Sequence, residues 1–144
     1  MGGQYVDVAG AADLDADDLR HMHELKTGRL IGASVECVLQ LGDAPQPATI
    51  AYRSFAAELG VLFQIVDDIL DVTGTDIALG KPQGSDERLG KRTYVSVFGL
   101  DQARALAGES HARARGALAS ACAVLAGDTR DLELLTDFMY RRDA

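Results

Sequence analysis

Cysteine, proline, positive charge and long apolar runs are all scarce in this 144-residue chain, and each scarcity excludes something. Two cysteines occur, Cys37 and Cys122, in apolar helical runs with no CxxC spacing and no neighbouring histidine. Zinc is therefore not indicated, and both read as buried free thiols. The formal net charge of -8 disfavours a nucleic-acid surface, because a phosphate backbone requires a basic footprint. No apolar run reaches about 18 residues, so no membrane span is expected. The opening MGGQYVDVAG has neither the basic nor the long apolar segment of a signal peptide, which points to a cytoplasmic protein. Strict alternation of apolar and polar residues never persists, so strands are not predicted, and no short repeat or low-complexity tract is present.

What is there is a globular composition, 47% hydrophobic and 25% charged, at a length that suits one domain. Helical spacing punctuated by glycine and proline predicts an all-α bundle. A short helix is expected over Gly3 to Ala9. A longer one starts at an N-cap on Asp13 or Asp15, with Asp17 and Asp18 in its first turn, and runs to about Leu41, where Gly42, Pro45 and Pro47 stop it. The next spans about Ala48 to Val72, with Gly74 as its stop. Residues 75–92 read as a glycine-containing loop, followed by a short helix from Tyr94 to Phe98. Asp101 is expected to cap a long alanine-rich helix over Gln102 to Leu125. Asp128 or Thr129 starts the last helix, with Leu132, Leu135, Phe138 and Met139 as its apolar face. His111 reads as solvated and Tyr94 as packing; His21 and His23, two apart, point to different sides of their helix.

The chemistry concentrates in Phe63 to Asp71, FQIVDDILD. Leu59, Leu62, Phe63, Val66 and Leu70 form an apolar stripe, and Gln64, Asp67, Asp68 and Asp71 recur at i, i+3, i+4 and i+7 on another face. Like charges at that spacing repel, so a partner is called for: a hard divalent cation, or simply solvent. The segment from Gly80 to Arg92 carries Lys81, Arg88, Lys91 and Arg92 against only Asp86 and Glu87. Such a basic stretch suits a diphosphate held by carboxylates through Mg²⁺ and by lysines on its free oxygens. Glycines 80, 84 and 90 would let backbone approach the anion, and Lys26-Thr27 adds a further cation and hydroxyl.

In order and spacing, the segments GQYVD (3–7), HELKTG (23–28), Leu59-Gly60, FQIVDDILD (63–71), LGKPQGSD (79–86) and GKRTY (90–94) resemble the trans-polyprenyl diphosphate synthases. The resemblance extends over essentially the whole chain. It implies the helical bundle of the isoprenoid synthase type. It also implies Mg²⁺ on Asp67, Asp68 and Asp71, and an allylic diphosphate held by Lys26, Thr27, Lys81 and Lys91. Phe63 and Gln64 would lie beside the reacting carbons, and Gln4 and Asp7 would line the same cavity; Lys26, Thr27, Gln64 and Lys81 are the residues it assigns to catalysis. The implied reaction ionises the allylic diphosphate and adds isopentenyl diphosphate to the cation.

The family's first aspartate-rich motif and the basic residues for isopentenyl diphosphate have no counterpart here. Asp13-Leu-Asp-Ala-Asp-Asp18 has the wrong spacing to replace that motif. Residues 1–144 are therefore expected to form the carboxy-terminal half of a polyprenyl synthase domain, leaving apolar surface to be covered by a second copy or by the missing half. Arg141 and Arg142 resemble the family's basic tail. Two other readings stand beside the enzyme: a non-catalytic or regulatory subunit, and a fragment of a terpene cyclase, which the GKPQGSD and GKRTY segments oppose.

Overall fold

The computed structural model describes residues 27–74, 92–125 and 127–142, and every regular element among them is helical. These are α1 (Arg29–Leu41), α2 (Gln46–Thr73), α3 (Tyr94–Phe98), α4 (Leu100–Leu125) and α5 (Arg130–Tyr140). The helices expected before residue 27, their caps, His21, His23 and the loop 75–91 fall outside the described residues.

α2 is the central element because its second half is apolar on several sides. From Leu59 to Asp71, only Phe63, Asp67 and Ile69 escape full burial. Its most extensive partner is α4. There Ala103, Ala107, Ser110, Ala114, Leu118 and Ala121 form one buried line, and their small side chains let α4 lie close against Phe55, Leu62 and Ile65. Glu58 ties the two together across the packing, accepting from the Ser110 hydroxyl at 2.8 Å and pairing with Arg113 at 3.0 Å.

The helix ends follow local chemistry. α1 closes with Gly42 N–H donating to the Val38 carbonyl at 2.9 Å, and Asp43 takes the left-handed conformation with φ 47°. α2 begins two residues earlier than expected, with Pro45 extended at the cap and Pro47 in the first turn. Proline is tolerated there because the N–H it lacks would have had no helical partner. α3 has the expected bounds, and a reciprocal pair holds its start: Ser96 N–H donates to the Thr93 hydroxyl oxygen at 3.1 Å, and Thr93 N–H to the Ser96 hydroxyl oxygen at 2.8 Å. Gly99, at φ 81°, makes the corner into α4, which therefore starts at Leu100 and leaves Asp101 in the first turn rather than at the cap. At α5 the Asp128 carboxylate accepts from Arg130 N–H at 2.9 Å.

Three expectations fail. Cys37 is exposed and Cys122 only half-buried, so neither is a core thiol. His111 is not solvated but bonded to Asp137 at 2.7 Å and stacked on Tyr140 at 4.5 Å between ring centroids. The apolar face of α5 is buried only in part. Leu132 and Met139 pack on the core with Thr136 between them, whereas Leu135 and Phe138 are 47% and 64% exposed. At about 100° per residue, Phe138 lies about 120° from the Leu132 direction, too far round to share its contact.

Candidate functional site

The site is defined by where α2 stops being buried. Phe63 and Asp67, one turn apart, form a half-exposed line on a helix whose neighbours Leu62, Gln64, Val66 and Asp68 are all buried. The expected single carboxylate face is thus divided. Asp67 keeps 43% of its side chain exposed, whereas Asp68 and Asp71 are each 2% exposed as residues. Adjacent residues project about 100° apart, and α3 packs on the Asp68 side, where Tyr94 N–H meets its carboxylate.

Asp68 is a structural acceptor. One carboxylate oxygen takes the Gln64 side-chain amide at 2.9 Å, and the other takes the Tyr94 N–H at 2.8 Å. That N–H is the first of α3, so a carboxylate on α2 holds the start of α3 in place, where negative charge is also favoured. Gln64, an expected catalytic residue, is buried and orients Asp68.

The carboxy-terminal segment returns to this line. The Arg142 guanidinium lies 5.9 Å above the Phe63 ring, and its Nη2 is 4.0 Å from an Asp67 oxygen. The first is within cation–π range; the second is a loose ion pair with room for water. On the other side, α1 approaches through glycine. A Cβ added at Gly60 would meet the Gly28 Cα at 2.8 Å, so the backbones touch, and Thr27, half-buried, is the residue before that contact. The sequence marks Gly60 only through the Leu59-Gly60 pair of the resemblance, without this packing role.

Among the described residues no group of three or more acidic, histidine or cysteine side chains is placed to hold a metal ion. The donor set still suits Mg²⁺, which takes one or two carboxylates and completes its shell with water and phosphate oxygens. Asp67 is open to such an ion. Asp68 lies one residue on, with both of its oxygens already engaged by N–H donors. Gln4, Asp7, Lys26, Lys81 and Lys91 lie outside the described residues.

The profile of the polyprenyl synthetase family matches residues 1–125. The chain belongs to the polyprenyl synthetase family. The farnesyl diphosphate synthase of Escherichia coli K12 is 40% identical to this polyprenyl synthetase chain over 144 residues, covering 99% of it and 48% of the relative. Among solved structures, a putative farnesyl-diphosphate synthase from Marinomonas sp. MED121 superposes with a TM-score of 0.73 at 26% identity, over 96% of this chain and 45% of that one. Geranylgeranyl pyrophosphate synthetase from Pyrococcus horikoshii gives 0.71 at 26% identity, over 99% and 54%. The all-α isoprenoid synthase fold is thereby shown for the polyprenyl synthetase chain, which spans about half the length of the curated relatives it matches.

Proposed function

We propose that this chain forms the diphosphate-binding wall of a prenyltransferase that condenses an allylic diphosphate with isopentenyl diphosphate. The observation that carries the reading is the half-exposed Asp67 beside Phe63 on an otherwise buried helix, in a chain whose relatives are named as farnesyl and geranylgeranyl diphosphate synthases. Asp67, with Asp68 beside it and Asp71 one turn on, is the set that would hold Mg²⁺. The metal would supply charge neutralisation for a departing diphosphate.

The chain's own residues do the rest. Asp68 and Gln64 lock α2 to α3, so Asp67 is presented from a rigid helix rather than a loop. Phe63 offers a half-exposed ring whose face holds the Arg142 cation at 5.9 Å, and with that guanidinium moved aside the face can stabilise positive charge developing on an allylic carbon. Thr27 supplies a hydroxyl beside the diphosphate, and Lys26, Lys81 and Lys91 are assigned to its free oxygens. Gln4 and Asp7 complete the cavity.

A second reading has its own observation. The chain spans 48% of the Escherichia coli relative, and Leu41, Ile50, Leu134 and Phe138 lie exposed on its surface, 59–89% accessible. Such surface favours pairing with a second copy or with a complementary half, so a non-catalytic subunit dependent on a partner chain remains the alternative. The purified chain incubated with Mg²⁺, isopentenyl diphosphate and geranyl diphosphate should release pyrophosphate, and light scattering should show a dimer. A monomer that binds the allylic diphosphate but releases nothing would assign it to the second reading.

A further inference from the structure

A cavity of about 240 Å³ opens where the end of α2, the start of α4 and the end of α5 converge, beside the Asp67 line. Its floor is apolar, built from Val66, Leu70 and Ala107, and its polar wall carries Arg104, Tyr140 and Arg142. Among the described residues no carboxylate lines it, in a chain of net charge -8.

Both guanidinium groups are held loosely. Arg104 has its Nη1 3.8 Å from Asp101, an aspartate fully in solvent, and Arg142 stands 4.0 Å from Asp67. Neither distance is a hydrogen bond, so among the described residues both forks of donors are open to a better acceptor. Tyr140 is fixed from behind: its ring stacks on His111, which is itself held by Asp137 at 2.7 Å. Its hydroxyl lies over the bare backbone of Gly108, where an added Cβ would come within 3.4 Å of it.

Two arginines and a fixed phenol around a small pocket form a receptor for a compact polyanion. We propose that this cavity binds a phosphate-class anion of pyrophosphate size, directly through Arg104, Arg142 and Tyr140 and without a metal. Arg142 is shared with Asp67, so an anion in the cavity draws that guanidinium away and leaves the Asp67 carboxylate open. Occupancy of the cavity and of the Asp67 face are thereby coupled through one side chain.

The test is calorimetric titration of the full chain with inorganic pyrophosphate in EDTA, with geranyl diphosphate as a parallel arm. Wild type is expected to bind. Arg104→Ala and Arg142→Ala should each weaken binding about ten- to hundredfold, the usual loss for a charged hydrogen-bonding partner. Arg104→Lys should recover part of it, and Asp67→Asn should leave binding equal or tighter. Comparable affinities in the two arms identify the free anion as occupant; tighter geranyl diphosphate with the same Arg104 dependence identifies the head group of a prenyl diphosphate. Absence of binding by wild type in EDTA overturns the proposal, as does an affinity that Arg104→Ala leaves unchanged. Circular dichroism checks the fold of each variant, and Arg104, 58% exposed, has no packing role to lose. Loss of the Mg²⁺-dependent reading would not touch this outcome, since neither the metal nor the Asp67 carboxylate contacts the anion.

Discussion

Asp67 and Asp68 are neighbours in sequence with opposite roles, and thermal stability separates them. Asp68→Ala deprives two buried donors, the Tyr94 N–H and the Gln64 amide, of the acceptors they meet at 2.8 and 2.9 Å. An unsatisfied buried donor costs about 1–3 kcal/mol, so losing both costs roughly 2–6 kcal/mol. For a domain of this size each kcal/mol lowers Tm by about 2–4 °C, so a fall of about 10 °C is expected. Asp68→Asn should fall between, since its carbonyl accepts one N–H while its NH₂ group opposes the other. Asp67→Ala removes a half-exposed carboxylate whose partner is 4.0 Å away, and should shift Tm by less than about 2 °C. Melting of the three variants followed by circular dichroism is the assay. Equal destabilisation by Asp67→Ala and Asp68→Ala would refute the division of the motif into a structural and an open carboxylate.

Gly60→Ala should destabilise by about 1–3 kcal/mol, because the added methyl meets the Gly28 backbone at 2.8 Å and backbone cannot turn aside; chemical denaturation measures it. Thr93→Ala removes the cap of α3 and should cost about 1 kcal/mol in the same assay. The Arg53 guanidinium hydrogen-bonds Glu36 and, with Gln40, holds its carboxyl down at about 2 against an ordinary 4.5. A carboxyl whose folded pKa is lowered stabilises above its unfolded value, so this contribution should be complete above pH ~4.5 and fade as pH falls toward 2. A Glu36→Gln variant should lack that component of the acid transition, and the component should shrink in high salt because the pair lies at the surface. Phe138→Glu should turn any dimer to monomer in light scattering while leaving Tm nearly unchanged, as Phe138 is 64% exposed.

The fold class, the breaks at Gly42 and Gly74, and the bounds of α3 were legible because helix periodicity and glycine punctuation are local signals. The apolar stripe on α2 was legible for the same reason. The separation of Asp67 from Asp68 was not: spacing places both within one broad face, and only the packing of α3 against α2 decides which carboxylate is enclosed. The exposure of Cys37, Leu135 and Phe138 was missed because an apolar side chain in a helix does not state whether a neighbour covers it. His111 was read as solvent-facing, and Arg142 only as part of a basic tail with no partner named. Their partners, Asp137, Tyr140, Phe63 and Asp67, are brought to them by the tertiary approach of α5 to α2 and α4, which no short sequence window contains.

The central claim, that Asp67 presents Mg²⁺ to a diphosphate, is tested most directly by titrating geranyl diphosphate into the chain by calorimetry, with and without Mg²⁺, for wild type and Asp67→Ala. The account predicts a metal-dependent increment of binding in wild type that is absent in a fully folded Asp67→Ala. The same increment in both proteins would contradict it.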